Sequence, residues 1–324
     1  MAHRKKKNGH NRKIKRLNNL SVNNEWLYIS QQCKRAGTVQ IMSSHTIDSL
    51  KELIDIIQNH PKGKMNICHV YPVQGDDKIG LLHPLNLFYG GSNQNKVNGR
   101  KSFGMAGHSI YRNKLKNKWK VTPDMKDKEV LTILEKFLGK VLIEYVAIYP
   151  VRKSAKTKLV DEIIKLDASG KYTRDNLSEM SSIGLSSIKA ELNGVVLRGF
   201  YFPPKNRRSK ILIYLEELSR IAKKSNSDWA ENCVFMQHIF LAGAAALSKS
   251  PHQKNSEEIL KIYEVYGKKA TRYKNRTLRS SSYEDFSKFK DFLYFQAFDC
   301  LQGKSIDEEM LRGTLKKYSR SKSE

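Results

Sequence analysis

Three side chains within residues 67–96, ICHVYPVQGDDKIGLLHPLNLFYGGSNQNK, have types and spacing suited to one kind of hydrolysis. His69 is followed three residues later by Pro72. Asn86-Leu87 comes fourteen residues after that proline, and Asn95 nine after Asn86. Hydrolysing a phosphodiester takes a general base to remove a proton from water. It also takes a cation to stabilise the leaving oxygen and the crowded charge. A neutral imidazole suits the first task because its pKa lies near working pH. Oxygen or imidazole ligands suit the second. The same residues would also serve an ordinary β-hairpin, where asparagine in turns meets backbone needs alone.

The elements that must position these groups are readable from periodicity. Ile47, Leu50, Ile54 and Ile57 recur at helical spacing and predict a helix over 46–58. MNICHVYPV reads as a strand broken at Pro72, QGDDKIG as a turn, and the Leu-rich piece after it as a short strand or loop. GGSNQNKVNG reads as a loop entering a short helix. No acidic residue lies between Asp77 and Asp124, while Lys78, Lys96, Arg100, Lys101, Arg112, Lys114, Lys116, Lys118 and Lys120 do. Tyr111 and Trp119 are interleaved with them, a composition suited to tracking a phosphate backbone. Lys96, Arg100, Lys101, Arg112, Lys116 and Lys118 are the candidate contacts.

Cys68-His69-Val70-Tyr71-Pro72, Asn86-Leu87 and Asn95 together resemble the HNH (His-Me finger) endonuclease family. The resemblance implies a ββα-metal module in which His69 activates water. Asn86 would hold the loop that orients His69, and Asn95 would offer its side-chain oxygen to a divalent ion, Mg²⁺ or Mn²⁺. One position departs from the family, which places Asp or His where Cys68 stands. A thiolate is a soft ligand and a poor partner for Mg²⁺. A softer metal, a substitute such as Asp76, Asp77 or His83, or a purely structural role for Cys68 would each account for it. Cysteine is commonly a small core residue.

Residues 172–202, YTRDNLSEMSSIGLSSIKAELNGVVLRGFYF, are similar to the small helix-turn-helix modules attached to HNH and GIY-YIG homing endonucleases. Ser186-Ser187-Ile188, Leu192-Asn193-Gly194 and Gly199-Phe200-Tyr201-Phe202 carry that likeness. It implies a second helix in the major groove, with Ser187, Lys189 or Glu191 near base edges. A plain helical hairpin with a capped strand over GVVLRGFYFPP is the alternative.

The chain has 324 residues and a formal net charge of +27, with a pI near 9.8. Such an excess repels itself unless a polyanion is present, and nucleic acid is the first such partner, double-stranded DNA foremost. Residues 1–16 hold eight Lys/Arg and no acid, as expected of an arm that orders on a polyanion. No apolar segment follows it, and the run 234–247 is interrupted by Gln237 and His238 and is too short to span a bilayer. Four scattered cysteines without a CxxC pair fit a reducing, cytoplasmic setting. VTPDMKDKEVLTILEKFLG predicts a helix stopped by Gly139, and KVLIEYVAIYPV a strand. Helices are expected near 209–224, 228–247, 256–270, 283–302 and 305–318.

The fold expected is α+β, a small ββα-metal module followed by a mainly α-helical region. Its parts are a basic flexible arm (1–29), the HNH-like module with its basic flank (30–122), an α/β linker with the helix-turn-helix-like module (123–204), and a helical C-terminal domain (205–324). The function expected is a metal-dependent DNA endonuclease. The rival is a non-catalytic nucleic-acid-binding regulator on a degenerate scaffold.

Overall fold

The computed structural model describes residues 14–61, 63–103, 106–195, 209–224, 227–253, 266–267 and 271–321. Helices and small antiparallel sheets are mixed. In chain order the longer elements are α1 (Asn24–Ala36), α2 (Ile47–Gln58), β1 (Met65–His69), β2 (Lys78–Gly80), β3 (Leu87–Gly91) and α3 (Ser92–Asn98). There follow β4 (Ser109–Tyr111), α4 (Asp127–Leu138), α5 (Lys140–Ile148), α6 (Ala155–Leu166), α7 (Arg174–Glu179) and α8 (Ser182–Leu192). The last are α9 (Lys210–Lys224), α10 (Asp228–Ser248), β5 (Thr277–Leu278), α11 (Tyr283–Leu301), α12 (Glu308–Tyr318) and β6 (Ser319–Arg320).

Two compact units form, and they divide the chain differently from the expected parts. One comprises Met1–Gln58 with Lys116–Lys205, the other Asn59–Leu115 with Asn206–Glu324. The expected module at 30–122 is therefore split. Strand β3 buries Phe88 against Phe298 of α11, with ring centroids 5.2 Å apart. Helices α1 and α2 instead pack with α4 and α5.

In the first unit, Asn23 caps α1 by accepting from Trp26 N–H, and Gly37 ends it in the left-handed conformation at φ 77°. Trp26, Ile29, Cys33 and Ala36 form the buried stripe. Within the segment expected as an arm, 1–29, the described residues belong to the folded unit. Helical turns begin at residue 14, and Arg16 donates to the carbonyls of Val146 and Ala147 at the end of α5. The strand expected at KVLIEYVAIYPV is α5. Leu142, Tyr145 and Val146 are its buried residues, at helical spacing, and the Tyr145 ring meets Trp26 edge-on at 6.1 Å. Tertiary packing of that face overrides the β-propensity of Val, Ile and Tyr. Helices α6, α7 and α8 share a small core of Val160, Ile163, Leu177, Leu185 and Ile188. The strand expected over GVVLRGFYFPP and the helix expected at 256–270 lie outside the described residues, apart from a few positions at their edges.

In the second unit, β1 pairs antiparallel with β3, setting Cys68 opposite Phe88 and His69 opposite Leu87. Strand β3 runs directly into α3. A second ribbon pairs β2 with β4. Helices α9, α10 and α11 pack on one another, and α10 buries residues on nearly every face, the pattern of a core helix. No described helix is long and apolar enough to cross a membrane.

Candidate functional site

The site is built on the order β1, loop, β3, α3. His69 is the last residue of β1, Asn86 immediately precedes β3, and Asn95 sits on the helix that β3 enters. Asn86 is fully buried. Its Oδ1 accepts from Tyr71 N–H at 2.8 Å. Its Nδ2 donates to the carbonyls of Tyr71 at 3.1 Å and Leu81 at 2.8 Å. The Asn86 carbonyl accepts from Val70 N–H at 2.9 Å. One asparagine thus ties down both residues that follow His69.

Two glycines make that clamp possible. A Cβ on Gly107, at φ +92°, would stand 2.6 Å from Asn86 Oδ1 and 3.0 Å from Tyr71 N. A Cβ on Gly80 would stand 1.9 Å from the Tyr71 carbonyl. Any side chain at either position would push the loop off Asn86. His83 Nδ1 accepts from Leu85 N–H at 3.3 Å and caps the short turn Pro84–Asn86. The His83 ring stacks on His108 at 5.0 Å, and burial holds the His108 imidazole below its usual pKa.

His69 is half-buried and its Nε2 atom is buried. Asn95 is partly exposed on α3, and its side chain makes no hydrogen bond to any described residue. Cys68 is a core residue and does not fit the ligand role considered for it. It is 1% exposed, its Sγ lies 3.6 Å from the Asn66 carbonyl, and burial pushes its thiol up to about 12. Neighbours on a strand point to opposite faces, so Cys68 turns away as His69 turns toward the loop. Asp76 and Asp77 are exposed in the turn before β2, where the Asp77 carbonyl accepts from Arg112 N–H.

Among the described residues no group of three or more His, Cys, Asp or Glu could hold a metal ion. The donors present are one uncommitted amide oxygen at Asn95 and one imidazole at His69. That set does not suit a structural zinc site, which wants four N or S ligands. Neither donor is the carboxylate through which Mg²⁺ is usually held, so a hard ion here would take most of its coordination from water and substrate phosphates.

The basic residues fall into separate roles. Lys96, Arg100 and Lys101 are exposed on and just after α3. Lys78 and Lys114 lie 4.4 and 5.6 Å from the centroid of the Tyr111 ring. Arg112 Nε donates to the Gly75 carbonyl at 2.8 Å, so this residue braces the turn. Lys116 and Lys118 belong to the other unit, where Lys118 lies over Trp119. Lys189 of α8 pairs with Glu162 at 2.7 Å.

The motif gave no sign of Arg220. From α9 this arginine donates to the Pro84 carbonyl at 2.9 Å and to the Leu87 carbonyl, on either side of Asn86. It also pairs with buried Glu217 at 2.7 Å. Tyr214 of the same helix accepts from Gly91 N–H at 3.0 Å, where β3 enters α3. The i, i+3 spacing of Glu217 and Arg220 signals a pair on one helix face. Nothing in the sequence links that face to residues 84–91. Compared with known proteins, the chain matches no family model, no curated protein and no solved structure.

Proposed function

We propose that this protein is a metal-dependent endonuclease of the HNH (His-Me finger) type that hydrolyses phosphodiester bonds in DNA. The observation that carries the reading is the hold of buried Asn86 on Tyr71, between a strand ending in His69 and a helix bearing Asn95. His69 accepts the proton of the attacking water. Its Nε2 is enclosed by protein, which in this reading leaves Nδ1 to take that proton. Asn86 touches no substrate. It fixes the peptide after His69 and so the direction of the imidazole. Asn95 would hold a divalent ion through its amide oxygen, and such an ion would supply charge stabilisation for the phosphate and the leaving oxygen. Lys96, Arg100 and Lys101, on and after the same helix, draw the strand in.

The test incubates supercoiled plasmid with the protein in Mg²⁺, Mn²⁺, Ni²⁺ or EDTA, beside His69→Ala. Metal-dependent nicking that falls about 10²-fold or more in the variant is expected, the usual scale for a lost general base. Equal cleavage by the two proteins would remove the reading.

The buried Nε2 of His69 and the neutral thiol where the family places Asp or His favour one rival, a protein that binds nucleic acid without cutting it. It predicts retarded plasmid and no nicks in any metal.

A further inference from the structure

The C-terminal helices hold a second concave feature, built from residues other than those of the Asn86 loop. Phe235, Ile239 and Ala242 recur along one stripe of α10 and floor a cleft of about 420 Å³. The turn at 271–276 supplies Arg272, Tyr273 and Arg276 to its walls, and α12 supplies Arg312 and Lys316. Four cationic side chains border this space, and no carboxylate is among its described lining residues.

Local partners offset little of that charge. Arg312 pairs with exposed Glu308 at 3.3 Å, and its guanidinium lies 4.7 Å from the centroid of the Phe235 ring. Arg276 donates to the hydroxyl of Ser319 at 3.1 Å, a neutral partner. Arg272 and Lys316 make no ion pair with any described residue. Like charges gathered over an apolar floor repel, and an anion between them relieves the repulsion. A cleft of similar volume beside Tyr149 differs in this respect, because Glu25 and Asp55 line it.

The side-chain types narrow the anion. The planar fork of arginine matches phosphate in a bidentate fashion. Phe235 and Tyr273 are partly exposed and offer flat apolar faces beside those forks. The volume lies within the range of sites for small ligands.

We infer that this cleft binds a nucleotide, with phosphate held by Arg272, Arg276 and Lys316 and the base against Phe235 and Tyr273. That chemistry has two sources, a free mononucleotide or one nucleotide unit of a nucleic-acid strand. The inference does not depend on the cleavage reading.

The test titrates full-length protein with ATP by calorimetry at fixed salt, with inorganic phosphate and a ten-residue oligothymidylate as separate arms. ATP should bind saturably and at least tenfold more tightly than phosphate. Arg272→Gln combined with Lys316→Gln should weaken nucleotide binding tenfold or more with an unchanged melting temperature, since neither side chain has an ion pair with a described residue to lose. Phe235→Ala, measured alongside, should weaken ATP more than phosphate. Competition between ATP and the oligonucleotide would place the strand in the cleft, and independent binding would assign it to the free nucleotide. The inference is overturned if phosphate binds as tightly as ATP, or if neither ATP nor oligonucleotide binding responds to the paired variant.

Discussion

Asn86 closes on Tyr71 through two hydrogen bonds, its Oδ1 taking the Tyr71 N–H at 2.8 Å and its Nδ2 giving to the Tyr71 carbonyl at 3.1 Å. The side chain copies what a neighbouring strand would offer, at a place where the chain has left the sheet. Asn86→Ala strands the N–H of Tyr71 and the carbonyls of Tyr71 and Leu81. Each buried group without a partner costs about 1–3 kcal/mol, and a total loss on the order of 3 kcal/mol is expected. Asn86→Asp should be worse, because it sets a carboxylate oxygen against two carbonyls. Denaturant unfolding of both variants measures this. A variant as stable as the parent would refute the clamp.

Asn95 separates metal use from fold. Its side chain bonds to no described residue, so Asn95→Ala should leave the melting temperature within about 1 °C, as for a surface change of under 0.5 kcal/mol. Plasmid nicking should then need at least tenfold more Mg²⁺. Asn95→Asp should lower the Mg²⁺ requirement, since a carboxylate is the better ligand for a hard ion. A metal titration of nicking rate is the measurement. Unchanged metal dependence in both variants would remove Asn95 as the ligand.

Arg220 gives the C-terminal helices a part in the site. It bridges the carbonyls on either side of Asn86 and neutralises Glu217, which is 5% exposed. Arg220→Met leaves that carboxylate buried and unpaired, and a loss of about 3–5 kcal/mol is expected. Adding Glu217→Gln should recover part of the stability, because the charge goes with its partner. The recovered fraction is read from a double-mutant cycle of unfolding free energies. Strict additivity of the two changes would mean that the pair is not coupled.

His108 should make stability fall with acid. Burial lowers its folded pKa below the ordinary 6.5. The unfolded chain therefore binds the proton first as pH drops. The stability contributed by the neutral ring is fully present above about pH 6.5 and is lost as pH falls from there through the folded pKa. His108→Phe should flatten unfolding free energy between pH 7 and 5 relative to the parent. An unaltered pH profile would place the acid sensitivity elsewhere.

The local order of the site was legible because it rests on short-range signals. Alternation ended by Pro72 marks β1, and the helix over 46–58 follows from the spacing of Leu50 and Ile54, both buried in α2. The strand expected at 140–151 failed because Leu142, Tyr145 and Val146 satisfy a helical period as well as a β composition, and packing on Trp26 decided between them. The division into units was hidden for a different reason. It turns on pairings such as Arg220 with Pro84, 136 residues apart, for which one sequence carries no periodic trace. Cys68 shows the same limit in miniature. Its type admits both a ligand and a core thiol, and only its 1% exposure separates them.

Charge supplies the last prediction. Residues 2–13 hold six Lys/Arg, and the acid-free segment 78–123 holds nine more. If six to ten cations meet phosphate together, DNA affinity should fall about 10³–10⁵-fold between 50 and 200 mM salt through counterion release. Deleting residues 2–13 should make that dependence shallower by about 0.9 in log–log slope for each phosphate the arm no longer neutralises. The deletion must stop before Arg16, whose guanidinium bonds to the carbonyls of Val146 and Ala147 at the end of α5 and belongs to the fold. Fluorescence anisotropy with a labelled duplex, with and without the deletion, reads both slopes. A flat response in the full-length chain would mean that the +27 charge answers to something other than nucleic acid, and the cutting and non-cutting readings would then fail together.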